Sequence, residues 1–373
     1  MRKPATILAI LLSLNGAAWG VEPVLDTDVV QTSRAAAIGL MRDGLFDNAV
    51  VYEKKALKVT EDLYGPLHPN LAPILNDLGT IYRVQAKYPE AEKQYKWALA
   101  IREQTLGTDH PDVAESLGYL ASLEVDLGRY TEAELNYQRA LRIREKTFGK
   151  DSLLAAETLE SRGDLFLLTG RAAEAFSALN RCLLIREKAW APEDLRLVAT
   201  WEDLARAAEA AGQFDEAEAL LKKCLSLRQK ELGSDRLEIT DSQENLAAFY
   251  RSRGREEEAK ALYEQAAQNR DRFINDRTPE PYLHASALTA MALGRLKDAE
   301  ICLNRSLKLR KEVFGAAHPK VAIVLEELAD LYQLKGDKSK AVENLKEAKK
   351  TWEKLVGPEH PEISRLKNKL EKL

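Results

Sequence analysis

LAPILNDLGTIYRVQ (residues 71–85), followed by AKYPEAEKQYKWALAIREQTLGTDHP (86–111), decides the fold. In the first segment Leu71, Ile74, Leu75, Leu78, Ile81 and Tyr82 recur at the spacing of one helical face. Ala86-Lys87-Tyr88 reads as a short turn. Pro89 then stands where a second helix begins, a place where its missing N–H would be unpaired in any case. That helix runs to about Leu106 and stops at Gly107, a residue able to take the left-handed conformation of a C-cap. Gly79 and Ala91 are small enough for the two helices to approach closely, and Leu75, Leu78, Tyr82 and Tyr95 fill the space around that contact.

The layout repeats along the chain. Turn residues Gly44, Ala86, Gly128, Gly170, Gly212, Gly254, Gly294 and Gly336 lie 42, 42, 42, 42, 42, 40 and 42 residues apart. An alanine follows each turn by five residues, from Ala49 to Ala341, and a small residue precedes each by seven, from Ala37 to Ala329. One hairpin cannot bury its own apolar face, so neighbouring units must stack and share a core. The expected fold is therefore all-α, a tandem array of helix-turn-helix units.

Large-xx-Leu-small-xx-aromatic, then Ala-xxx-aromatic-xx-Ala, resembles the tetratricopeptide repeat. In the second unit the pattern is carried by Leu75, Leu78, Gly79 and Tyr82, then Ala91, Tyr95 and Ala98. The second helix is longer than in the common form of about 34 residues. With the tail seen at Leu141-Arg142-Ile143-Arg144-Glu145-Lys146, the unit resembles the kinesin-light-chain variety of the repeat. The His-Pro pair of that tail recurs at His68-Pro69, His110-Pro111, His318-Pro319 and His360-Pro361. The resemblance spans about residues 28–361. It implies a right-handed α-solenoid whose concave groove, lined by first helices, receives a protein or peptide partner. Where the light-chain repeats carry a groove asparagine, this chain keeps Asn76 and reads Gly118, Glu160, Glu202, Glu244, His284 and Glu326 in the later units.

The composition agrees with a helical assembly: 373 residues, 45% hydrophobic, 31% charged and 7% aromatic, with a net charge of −4. So many apolar residues exclude a disordered chain. The one long apolar run opens the sequence, so a multi-span membrane protein is excluded. Met1-Arg2-Lys3, the apolar run Ala5 to Leu14 and the small residues Gly16, Ala17, Ala18 and Gly20 have the layout of a secretory signal peptide. Cleavage is expected after Ala18 or Gly20, with export to a periplasm or the exterior and no integral span in the mature chain. The expected divisions are a signal peptide (1–20), a degenerate first repeat acting as a cap (21–64), the array (65–361) and a C-terminal capping helix (362–373). Ser33 and Glu53 occupy large-residue slots of the first repeat. Near 273–283 the His-Pro tail gives way to a Phe273 to Pro281 segment, where an irregular joint with a shortened helix is expected.

No catalytic, cofactor or metal constellation is expected. The sequence holds no phosphate-binding glycine loop and no nucleophile elbow, and four of its five histidines belong to the connectors, where they cap loops. Cys182 and Cys224 share the small slot of Ala98 and Ala140, so they read as buried free thiols. The sequon Asn304-Arg305-Ser306 is discounted because Ser306 falls on the same buried slot. Arg102, Arg144, Arg186, Arg228, Arg270 and Arg310 form a ladder on the second helices, read as ion pairs between stacked repeats and not as a nucleic-acid surface.

The groove carries the functional reading. Offsets of −6, −3, +1, +4 and +5 from each small residue fall on one helical face. Eleven of the 35 positions selected in units two to eight are acids: Glu115, Asp126, Glu157, Glu160, Asp164, Glu202, Glu209, Asp241, Glu244, Glu326 and Asp330. Only Arg83, Arg206 and Arg251 are basic, which gives this surface −8 against −6 for the mature chain. In unit seven Pro281, His284, Leu288, Met291 and Ala292 make an apolar break in the acidic track. The expected function is that of an exported, non-enzymatic interaction scaffold whose acidic groove binds a basic or basic-amphipathic segment. The alternative is an assembly module of an envelope complex, acting through its convex Arg-bearing face or its ends.

Overall fold

The protein is described by a computed structural model over residues 22–233, 237–271 and 280–373. The proposed signal peptide and the 272–279 part of the joint lie outside the described residues. Seventeen helices are described, and every described element is helical. They pair as α1 (Glu22–Arg42) with α2 (Phe46–Tyr64), α3 (Leu71–Val84) with α4 (Tyr88–Leu106), and α5 (Pro111–Asp126) with α6 (Tyr130–Phe148). The middle of the array pairs α7 (Leu153–Leu168) with α8 (Ala172–Ala189), and α9 (Arg196–Ala210) with α10 (Phe214–Leu232). The last three hairpins are α11 (Leu237–Ser252) with α12 (Glu256–Asp271), α13 (Glu280–Ala292) with α14 (Leu296–Phe314), and α15 (Pro319–Leu334) with α16 (Lys338–Leu355). The lone α17 (Pro361–Glu371) covers the end of the last hairpin. Each helix packs on its partner and on the next unit, the stacking of an α-solenoid.

The small residues stand where the helices cross. Ala91, Ala133, Ala175 and Ala217 are fully buried. A Cβ added at Gly79 would lie 2.4 Å from Tyr95 Cε1, and one at Gly163 would lie 2.5 Å from Leu179 Cγ. The first unit fits the pattern poorly and is buried all the same: Ser33 and Glu53 are enclosed. The connector histidines are caps. Nδ1 of His110, His318 and His360 accepts the backbone N–H two residues on, at the N-terminus of α5, α15 and α17. His68 accepts likewise from Asn70. Cys182 and Cys224 are free and buried, and burial pushes both thiols up to about 12.

The array comes back on itself. Phe46 in the first hairpin stacks on Phe314 at the end of α14, with ring centroids 5.8 Å apart. His318 directs Nε2 at the Val84 carbonyl, 2.7 Å away, and His360 directs Nε2 at the Asp126 carbonyl, 3.2 Å away. Phe46, Ala86, Tyr88, Val356 and Ile363 share one core cluster. The turns of the first three units thus meet the tails of the last two.

Candidate partner groove

The −6, −3, +1, +4 and +5 positions share the inward first-helix wall, but they are not equally open. Glu115, Glu157, Asp164, Arg206, Asp241, Arg251 and Leu288 are exposed. Arg83, Asp126, Glu160, Glu202, Glu209, Glu244, His284, Met291, Glu326 and Asp330 are half-buried. Asn76 is buried beneath the wall, where its amide faces Ser116 Oγ at 3.4 Å. It therefore does not line the groove.

All eleven acids are engaged. Glu115 meets Arg102 at 2.7 Å, Glu202 meets Arg228 at 2.8 Å, and Arg270 joins Asp241 at 2.9 Å and Glu244 at 2.7 Å. Arg186 holds Glu160, and Arg144 lies 3.5 Å from Glu157. Arg83 pairs with Asp126, and Arg206 with Asp164 at 3.3 Å. At the far end Lys369 of α17 meets Glu326 at 2.9 Å and Asp330 at 2.6 Å, while Arg365 adds a second contact to Glu326. Glu209 accepts a hydrogen bond from Ser252. The arginine ladder therefore lies below the groove, with Arg102, Arg186, Arg270 and Arg310 buried and Arg144 and Arg228 half-buried, which corrects the Arg-bearing convex surface of the alternative reading.

This pairing also corrects the acidic-groove expectation. Seven bases outside the first-helix count (Arg102, Arg144, Arg186, Arg228, Arg270, Arg365 and Lys369) reach the same acids, which lowers the excess from −8 to −1. The reason is length: an arginine rooted on a second helix can pass between two first helices. Burial raises the Glu202 carboxyl against the pull of Arg228, and it pushes Glu244 up to about 7 against that of Arg270. These carboxylates hold the stack together. In unit seven, His284 is tied to Glu327 at 2.5 Å and Met291 packs on the core, so Pro281 and Leu288 remain as the exposed apolar side chains of that break.

The wall opens in units three and four. A cavity of about 460 Å³ lies between α5 and α7, with Gly118, Tyr119, Tyr137, Arg144, Phe148 and Glu157 on its surface. A second, of about 660 Å³, shares Ser122, Tyr137 and Ser161 with the first and reaches Asp164 and Arg206. The sequence reading placed Ser122 on this wall, at the +1 position after Ala121, but missed Tyr119, Tyr137 and Ser161. Its one available signal was Gly118, a residue without a side chain where four later units place glutamate. Among the described residues no three metal-ligating side chains gather, and no helix is long and apolar enough to cross a membrane.

The tetratricopeptide repeat profile matches residues 28–104, 98–146, 112–188, 196–272 and 280–354. No curated protein matches the chain in sequence. Among solved structures, the chain is similar to BtubC (BKLC) from P. vanneervenii at 24% identity and a TM-score of 0.52, over 57% of this chain and 84% of the other. It is similar to the nearly identical TPR-like repeats of a Podosopora anserina protein described as a kinesin light chain, at 26% identity and a TM-score of 0.52, over 57% and 99%. A Rap protein complexed with Competence and Sporulation Factor shares the fold over 92% of this chain and 99% of its own, at 14% identity and a TM-score of 0.51. With the repeat matched along most of its length and its helices paired and stacked accordingly, the chain belongs to the tetratricopeptide repeat family.

Proposed function

We propose that the protein is an exported, non-catalytic scaffold that binds a segment of a partner protein along its inward first-helix wall. The carrying observation is the pair of adjoining cavities at units three and four, where the wall is recessed between helices. Concave, partly apolar sites with a few convergent polar groups are where proteins take ligands. Glu115, Glu157 and Asp164 stand exposed along this stretch, and they favour a partner with basic side chains. Export rests on the layout of Met1 to Gly20.

The test is capture of partners from the exported fraction with the processed chain as bait, repeated as salt is raised. Charge reversal belongs at Glu157 and Asp164, which are exposed, and not at Glu115, Glu160, Glu202 or Glu244, which hold the ladder arginines and whose loss would damage the stack. The double reversal should abolish capture while leaving the helical signal intact. Undiminished capture would remove the groove from the account, and a bait recovered only inside the cell, still carrying its first twenty residues, would remove export.

A further inference from the structure

Five of the six ladder arginines hydrogen-bond a carboxylate, Arg102 on Glu115 and Arg310 on Glu280 among them, and for Arg144 no such bond is found among the described residues. Arg186, Arg228 and Arg270 each bind a carboxylate rooted 26 residues earlier, on Glu160, Glu202 and Glu244. For Arg144 the residue at that separation is Gly118. A Cβ added there would meet nothing within 4 Å, and the space opens into the cavity of about 460 Å³. Arg144 spends Nη1 on the Leu154 carbonyl (2.9 Å) and Thr158 Oγ1 (2.8 Å). Its closest carboxylate, Glu157, is 3.5 Å away. Among the described residues no hydrogen bond of its Nη2 or Nε is found. Burial holds this guanidinium below its ordinary value, whereas at Arg186 burial is outweighed by the hydrogen bonds of Glu160 together with the negative charges around it, and the group is held above.

We propose that the Gly118 notch receives an Asp or Glu side chain of the partner segment onto Arg144, and that basic residues flanking it in that segment meet Glu115 and Glu157. This rests on the groove reading above and names the chemistry of its ligand. The incoming carboxylate takes the place that Glu160, Glu202 and Glu244 fill in later units, and the fork of an arginine suits it. A lone anion would be repelled by the two rim carboxylates, Glu115 and Glu157, which are about half exposed. Cations on both sides of the anion remove that repulsion, so the notch selects a basic–acidic–basic pattern and rejects uniformly acidic segments.

The experiment titrates the whole chain with acetyl-Lys-Gly-Glu-Gly-Lys-amide and with the same peptide carrying Gln for Glu, by calorimetry at low salt. The Arg144 Nε–H resonance, assigned through Arg144→Lys, is followed alongside. The Glu peptide should bind about ten-fold more tightly than the Gln peptide, as a charge-assisted hydrogen bond implies, and should move that resonance. Gly118→Glu supplies the missing rung from within; it should abolish the preference and raise the melting temperature. Equal binding of the two peptides, no binding of either, an unmoved resonance, or a preference that survives Gly118→Glu overturns the notch. Failure of the groove reading shows separately, as partner capture that ignores the charge reversal at Glu157 and Asp164.

Discussion

Glu53 stands in α2 at the slot that Tyr95 and Tyr137 occupy in the next two second helices. It is 1% exposed, and its Oε2 has no hydrogen-bond partner among the described residues. Burial, reinforced by Asp77, pushes its carboxyl up to about 7, against the pull of Arg34. The folded chain therefore favours the protonated form. The stability linked to it is fully present below the ordinary value of 4.5 and is lost as pH rises through about 7. Glu53→Gln keeps the site neutral at every pH, so it should stabilise the protein by roughly 1–3 kcal/mol at pH 8, with the gain fading toward pH 4.5. Urea melts at pH 8 and pH 5 check this, and a gain that does not change with pH would contradict it.

The second helices act as struts, and their arginines join first helices of neighbouring units. Arg228, rooted on α10, holds Glu202 of α9 and Ser242 of α11 together. Removing one member of such a partly buried pair strands the other. Arg228→Met should cost roughly 2–4 kcal/mol, and adding Glu202→Leu should recover most of it. A double-mutant cycle read by urea denaturation measures the coupling; costs that simply add would refute it. At this scale the division between legible and illegible is clear. The turns, the small crossing residues and the capping histidines could be read directly, because packing at a crossing repeats with the period of the chain. Both charged rows could be read too, but not their meeting. An arginine has the reach to serve either side of its helix, and its direction is decided by the spacing of helices three-dimensionally. The incomplete rung was visible only as Gly118, whose meaning needs Arg144 beside it.

Across the whole molecule, the returning contact decides how open the groove is. His318 and His360 each use both ring nitrogens: Nδ1 accepts a backbone N–H, and Nε2 meets a carbonyl on the opposite end of the array. That arrangement requires neutral rings, since a protonated Nδ1 cannot accept. Burial lowers both from the ordinary 6.5, opposed by the hydrogen bonds to Val84 and Asp126; Lys320 and Arg310 also lower His318, while Glu362 and Asp126 raise His360. Their contribution is fully present above about 6.5 and is lost as pH falls through the lowered folded values. His318→Ala combined with His360→Ala should expand the particle at pH 7.5, and the parent should expand on going to pH 5. Small-angle scattering reads both, and a double variant as compact as the parent at pH 7.5 would show that the histidines do not hold the ends.

Both histidine contacts join residues 234 positions apart. The seam is thus itself periodic, and it sets how many units the chain can hold. If a duplication inserted one more 42-residue unit in the middle of the gene, the position facing Val84 would fall to the residue now numbered 276, an aspartate in the stretch that lacks the His-Pro pair. Open solenoids can lengthen freely, but this one is counted. An added unit would cost it both present histidine contacts, whereas a substitution along the wall would leave them in place.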